Sequence, residues 1–418
     1  MAVTNLKQKL SLATASLLAA DSQAASTLDD KDALYNKWSV DAGYLRYEET
    51  GYITVDTYMA MIRGDLSGVD NVKLGIVFDT LSGSTPTGAL PGSDAVALTG
   101  VSGGGVSTGG GGAGKTQFDD TRLAIDTTWT HEWERLLRSK ATAAISVEGD
   151  YTAVGGSLAI EQDSKDKTTT YTAAIGVAAD KVSRSDESTP APLSLVSAGS
   201  MLGAGHKNTF EGLIGATHVI NQRTVAMANF SYSHSLGYHT DPYKIISIAD
   251  SNDVELFDGI VYEHRPDDRE RFVLYGKVKH ELPESGHHLG LSYRFHTDNW
   301  GINSHTIEGD YSFKIKNNDL VEPFARAYHQ EAADFYTRTI ISDGQQVFND
   351  INLPSHASAD VRLSEMFSLT AGIKYRHKTS AKGSVDFRVA YIYRDYRDAV
   401  LDTEGTVFFV VDLGKAFD

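Results

Sequence analysis

A two-residue periodicity constrains this chain more than any other feature, and it is plainest between His287 and Ile315. Leu289, Leu291, Tyr293 and Phe295 alternate with His288, Gly290, Ser292, Arg294 and His296, so one face is greasy and the other charged. Asp298-Asn299-Trp300-Gly301 supplies turn chemistry. Beyond it Ile307, Tyr311, Phe313 and Ile315, with Gly309, alternate with Thr306, Glu308, Asp310, Ser312 and Lys314. Period two is a strand pattern, and the two apolar faces register on one side only if the arms form a hairpin.

The same rule recurs along most of the chain, with no helical interruption long enough to cover a sheet. Successive strands read as 38–47, 52–62, 72–80, 121–130, 142–148, 154–161, 169–179, 207–219, 224–234, 271–282, the hairpin above, 320–330, 357–363, 367–376, 385–393 and 406–417. Repetition of this kind predicts an all-β fold, a single transmembrane antiparallel β-barrel occupying residues 38–418. A soluble sandwich also alternates, but it buries its apolar face, whereas a membrane barrel turns that face to lipid and lines its lumen with polar groups. The aromatic weight on the apolar face, the long strands and the alternation of short turns with long loops favour the barrel, which also leaves no sheet edge in lipid. The count comes to about 17, whereas bacterial barrels have even numbers, so the expectation is about 16 strands with 18 as the alternative. The parity misfit falls after Ser355.

Four long loops, near 81–117, 181–204, 236–268 and 331–355, trace to one end, taken as extracellular. The third carries Asp241, Asp250, Asp253, Glu255, Asp258, Glu263, Asp267 and Asp268 against Lys244 and Arg265, a balance of −6. The face opposite the apolar one predicts a lumen lined by Arg271, Lys277, Lys279, Arg294, Glu308, Asp310, Lys374, Arg376, Asp386 and Arg388.

Composition enters where it excludes. A formal net charge of −17 argues against nucleic-acid binding, which needs the opposite surplus. The absence of cysteine rules out thiolate metal sites and disulfide stapling. Lys7 and Lys9, an apolar run from Leu10 to Ala20 and Ser22-Gln23-Ala24 read as a signal peptide over residues 1–24, followed by a polar lead over 25–37. No segment approaches the roughly 20 apolar residues of a membrane helix. In the Gly-rich first loop, Gly109, Gly114, Lys115 and Thr116 match the phosphate-loop pattern and Gly100 to Gly104 the hydrolase nucleophile elbow. Both patterns need a strand before and a helix after, which these flanks lack, so they are read as chance matches in a biased tract.

Several phrases in the second half carry a more specific signal. They are Tyr238 to Lys244; Glu263 to Arg269; Leu291 to Arg294 running through Thr297 to Gly301 and Ser304 to Thr306; Gln330 with Ala332 to Tyr336; and Ser358 to Asp360 through Arg362 to Ser364. In order and spacing they resemble the outer-membrane family known as domain of unknown function 3570, over about 236–375. The resemblance implies a barrel in the outer membrane of a Gram-negative bacterium and implies no reaction.

The tracing puts the loops and the turn bearing these phrases at one end. His239, Asp241, Arg265, Asp267, Asp268, Arg269, Asp298, Trp300, His305 and Asp334 are therefore a candidate rim cluster, which either locks the loops by ion pairing or binds a divalent cation through oxygen and nitrogen ligands. Three function classes follow. A channel or export conduit needs a wet lumen; a scaffold would pair its lumenal charges across the bore and hold a periplasmic or surface lipoprotein. A rim enzyme, with His305 beside Asp298 or Ser304, ranks last, and the chain is read as no enzyme. A secreted or periplasmic β-sheet binding protein is the alternative outside the membrane. A TonB-dependent receptor is disfavoured because no plug-sized domain precedes the first strand. The expected surroundings are outer-membrane lipid and lipopolysaccharide.

Overall fold

The computed structural model describes residues 38–50, 52–90, 115–342, 348, 351–380, 383–397 and 403–417. The signal peptide and polar lead lie outside them, as do the nucleophile-elbow match and most of the phosphate-loop match. In chain order the strands are β1 (Trp38–Glu49), β2 (Ile53–Asp65), β3 (Asp70–Pro86), β4 (Lys115–Glu134), β5 (Leu137–Val147), β6 (Tyr151–Asp163) and β7 (Thr169–Val182). Then come β8 (Ser188–Pro190), β9 (Met201–Gly203), β10 (Gly205–Asn221), β11 (Thr224–Gly237), β12 (Ile245–Ala249), β13 (Glu255–Tyr262) and β14 (Asp268–Glu281). The last are β15 (His288–Asp298), β16 (Asn303–Lys316), β17 (Asp319–Gln330), β18 (Ile340–Ile341), β19 (Met366–Ser380), β20 (Gly383–Tyr396) and β21 (Thr403–Phe417). All but β8, β9, β12, β13 and β18 close into one barrel of 16 strands, each antiparallel to its neighbours, with β1 sealed against β21 from Trp38↔Phe417 to Glu49↔Thr406.

Face assignment follows the sequence pattern. Leu291 and Ile307 point outward and are 58% and 53% exposed, while the intervening Ser292 and Asp310 point inward and are 9% and 6% exposed. That is the inverse of a soluble sandwich: the apolar face has no protein cover, and the polar face is enclosed. No helix of the described residues is long and apolar enough to cross a membrane.

One predicted strand is not in the wall. Residues 357–363 alternate Ala357, Ala359, Val361 and Leu363 with polar positions, yet they form an extended bridge to His264 and a single 3₁₀ turn at Val361–Leu363, inside the link between β17 and β19. Removing it takes the count to 16 and resolves the parity misfit. All four long links, between residues 86 and 115, 182 and 205, 237 and 268, and 330 and 366, then leave and rejoin the ring at the end opposite Trp38 and Phe417. Elsewhere β3 and β4 run further than the alternation indicated and shorten the first loop from both sides.

The inner wall is not uniform. Leu45, Tyr47, Ile53, Val55, Met59 and Leu81 form a buried apolar cluster on β1 to β3, with Ile392, Phe408 and Val410 against it. Charged residues line β14 to β19 instead.

Candidate functional site

The long links do not stand apart as loops. Their described residues fold into one cap, whose frame is a three-stranded sheet in the order β13-β12-β18, with β12 and β13 from the third link and β18 from the fourth. Ile246, Ile248, Val261 and Ile340 of that sheet are buried with Leu193 of the second link and Ile351, Ala357 and Ala359 of the fourth. The first link joins through Thr87, whose carbonyl accepts from Ile245 N at 3.0 Å, and through Leu90 N, which donates to Ser247 Oγ at 3.1 Å. Gly88 makes that approach possible: its φ is +103°, and a Cβ there would lie 2.3 Å from the Ile245 carbonyl oxygen. The second link joins through Tyr262 N, which donates to the Ser194 carbonyl at 3.0 Å. Around the ring of sixteen, six strands separate the first link from the third. Segments rooted so far apart meet only by crossing the mouth, so the cap spans it.

A buried ion network pins the third link to the fourth. Arg265 is 2% exposed and donates from Nη2 to Asp360 Oδ2 at 3.0 Å and to Glu263 Oε2 at 3.1 Å. Glu263 also accepts from Asp241 N at 2.7 Å and from the Ser358 hydroxyl, while Asp360 accepts from Arg362 N at 3.2 Å. Burial drives the Glu263 carboxyl above its ordinary value, partly offset by Arg265. Burial also opposes charge on Asp360, but Lys244 and Arg265 overcome it and hold that carboxyl below its usual range. Arg265 and Lys244 thus supply the counter-charge a cation would otherwise bring. Such a pair adds little net stability over an apolar replacement, but deleting one member strands a buried charge.

A second cluster fixes the turn between β15 and β16. Asp298 Oδ1 accepts from Trp300 N at 3.1 Å and Ile302 N at 3.0 Å, which sets the turn, and its Oδ2 takes Arg269 Nε at 2.9 Å. The Arg269 guanidinium lies 4.2 Å from the Trp300 ring, whose Nε1 donates to the Asp268 carbonyl at 2.8 Å. Asn299 Nδ2 donates to Asp268 Oδ1 at 3.0 Å. Trp300 is also buried with Ile302, Ala333 and Leu363, and Asp334 N donates to its carbonyl at 2.9 Å, so the fourth link rests on this turn. The His239 ring meets Trp300 edge-on at 5.6 Å. Its Nδ1 donates to the Gly237 carbonyl at 2.7 Å, and its Nε2 is buried without a hydrogen bond. Burial, then the charge of Lys207, pushes the His239 pKa down to about 3.

The predicted rim residues therefore divide. Asp241 and Arg265 join the buried network; His239, Asp268, Arg269, Asp298, Trp300 and Asp334 gather about the turn. Asp267 is exposed and contributes its carbonyl, which accepts from Gly237 N at 2.7 Å. His305 is elsewhere: it faces outward beside Tyr293, with Nδ1 2.7 Å from that hydroxyl. Since Ser304 and Asp298 point inward, the His305 pairing entertained for an enzyme does not form. Asp360 and Ser358 escaped the sequence reading, although they lie in one of the family-like phrases; mistaking 357–363 for a wall strand hid them. Among the described residues, three carboxylates with ligand atoms within 4.8 Å of one another occur at Asp120, Glu148 and Asp150, none of them in the predicted rim cluster.

Several charges on the inner wall pair with near neighbours. Lys374 reaches Glu322 at 2.8 Å, Arg376 Nη2 reaches Asp386 at 2.6 Å, Arg326 Nε reaches Glu308 at 2.7 Å, and Lys277 and Lys279 share Asp310 at 3.6 and 3.8 Å.

The family model described as "Protein of unknown function (DUF3570)" matches residues 7–408. No curated protein matches the sequence. Among solved structures, the fold is similar to a bacterial polysaccharide outer membrane secretin (9% identity, 92% of this chain and 99% of that one, TM-score 0.44). It is also similar to the outer membrane protein opdK from Pseudomonas aeruginosa (7% identity, 91% and 99%, TM-score 0.39). A third is the siderophore receptor PirA from Acinetobacter baumannii (10% identity, 88% of this chain, TM-score 0.42), of which this chain covers 54%.

Proposed function

The chain belongs to the DUF3570 family, and from that premise we propose that it is an outer-membrane conduit whose outer mouth is held shut by a folded cap. The observation that carries this reading is the union of three links, rooted around the ring, in one apolar core, with the first link packed on the same sheet through Ala89 and hydrogen-bonded to it through Thr87 and Leu90. Beneath it the lumen keeps the character of a wet path: Lys279 and Arg326 side chains are 37% and 46% exposed. A scaffold would close its bore by pairing charges across it. The ion pairs of β14 to β20 run instead between strands of the same wall, as in Lys374 with Glu322 and Arg376 with Asp386, which favours the conduit. In this placement lipid and lipopolysaccharide cover the outward apolar face, the short turns face the periplasm, and a lipoprotein on either side would be the natural partner to release the cap.

Planar-bilayer recording tests the proposal. The intact protein should stay mostly closed, and replacing residues 241–263 by a short Gly-Ser linker should produce large, steady steps. Heat-modifiable migration on gels would verify that the shortened chain still forms a barrel. A correctly assembled shortened barrel that stays silent would favour the scaffold, and an intact protein that conducts steadily would remove the cap's gating role.

A further inference from the structure

The lumenal charges hold one imbalance. On β14 to β17, Lys277 and Lys279 share Asp310, and Arg326 takes Glu308. Arg294, on β15, is exposed to the lumen and has no carboxylate or hydrogen-bond partner among the described residues. The charges that act on it most strongly are Arg326 and Arg271, both cations, with the phenols Tyr275 and Tyr328 also near; Glu308, the next inward position along β16 from Thr306, is taken by Arg326. Arg271 is itself undersupplied. It donates to the Ser233 hydroxyl at 2.7 Å, stands 3.9 Å from Glu211, and keeps a buried Nε without a hydrogen bond.

Strand register explains the grouping. Tyr275 is directly opposite Arg294, Arg294 opposite Thr306, and Thr306 opposite Tyr328, so a guanidinium sits at one level between two phenols on four adjacent strands. Guanidinium groups gathered with too few carboxylates repel one another unless an anion lies among them. A carboxylate accepts two parallel N–H bonds from a guanidinium, a geometry that an ammonium cannot match. In a protein of net charge −17, an unpaired cationic site enclosed in the bore is a specific feature, not a surplus spread over the surface.

We propose that Arg294, with Arg271 and the flanking Tyr275 and Tyr328, forms a lumenal subsite for a carboxylate-bearing solute that enters from the periplasmic end. The site rests on the conduit reading for its route of entry, but its occupancy does not require current to flow. Calorimetric titration of the full chain in detergent is therefore the test, with D-glucuronate, neutral D-glucose and inorganic sulfate as probes. Glucuronate should bind, glucose should not, and sulfate should bind more weakly. Arg294→Gln should weaken glucuronate by about tenfold or more, the loss expected for a charge-assisted contact. Lys140→Gln, on the opposite wall where Lys140 pairs with Glu161 at 2.6 Å, should leave it unchanged. Heat-modifiable migration would show that each variant is assembled. Absence of glucuronate binding, equal binding of glucose, or indifference to Arg294→Gln would overturn the site. Sulfate binding as tight as glucuronate would overturn its carboxylate class. Steady conductance from the intact protein beside a successful titration would fault the gating model alone.

Discussion

In the barrel wall, Leu291 and Ile307 turn outward and stand more than half exposed; in the cap, Ile246 and Ile248 are wholly buried. The same residue types thus meet two kinds of cover. The wall relies on lipid for its apolar face and on backbone register for its closure, so it tolerates a polar, hydrated interior. The cap has its own core, beside which the fully buried cation Arg265 is partnered by Glu263 and Asp360. One chain therefore contains two folding problems, and a substitution should damage one without the other.

The sharpest separation is expected from Arg265→Met. Stranding Glu263 and Asp360 without their shared cation costs about 3–5 kcal/mol, enough to release the third link from the fourth. Limited proteolysis should then cut within 238–267 while the heat-modifiable gel shift stays as in the parent. Loss of the gel shift would mean that cap and wall are one cooperative unit.

The reverse case is Ile373→Arg, which puts a charge on the lipid face at a cost of roughly 2 to 4 kcal/mol near the midplane. Assembly into membranes should fall well below that of Lys374→Ala, which only frees Glu322 on the wet side. Equal yields from the two variants would mean that the faces are inverted.

The smallest effect is a pH response confined to the cap. His239 has a folded pKa of about 3, below its free value, so the undocked cap binds more protons at intermediate pH. The stability it contributes is complete above about pH 6.5 and is lost as pH falls toward the folded value, a loss of roughly 2 kcal/mol by pH 5. Lys207, Arg269 and Arg271 face the ring and strengthen the effect. Protease sensitivity of the third link should rise between pH 7 and 5, and His239→Gln should flatten that rise. An unchanged slope in the variant would assign the response to other groups.

The wall was legible because its rule is local. Phe367, Leu369, Ile373 and Tyr375 alternate with Lys374 and Arg376 within ten residues, and nothing distant is needed to place them. The cap was illegible because its determinants are not local: Arg265 and Asp360 are 95 positions apart. Residues 357–363 mark the boundary between the two cases. Their alternation is real and their backbone is extended, but Ala357 and Ala359 find the cap core instead of lipid. Periodicity gives the face that needs cover and leaves open what covers it. His305 failed for the related reason that adjacency in sequence reverses the face, so a residue next to Ser304 cannot share its site.

The cap also orders events in time. Its packing draws on links that follow β3, β7, β11 and β17, so it cannot complete until strands from nearly the whole chain stand in one ring. Contacts of such long sequence separation form late, because the entropy of closing each loop is lost before the contact repays it. Until the ring shuts, Ile246, Ile248 and Val261 are uncovered and prone to misassociation. Once the ring shuts, the docked cap becomes a certificate of completed assembly, one that limited proteolysis can read.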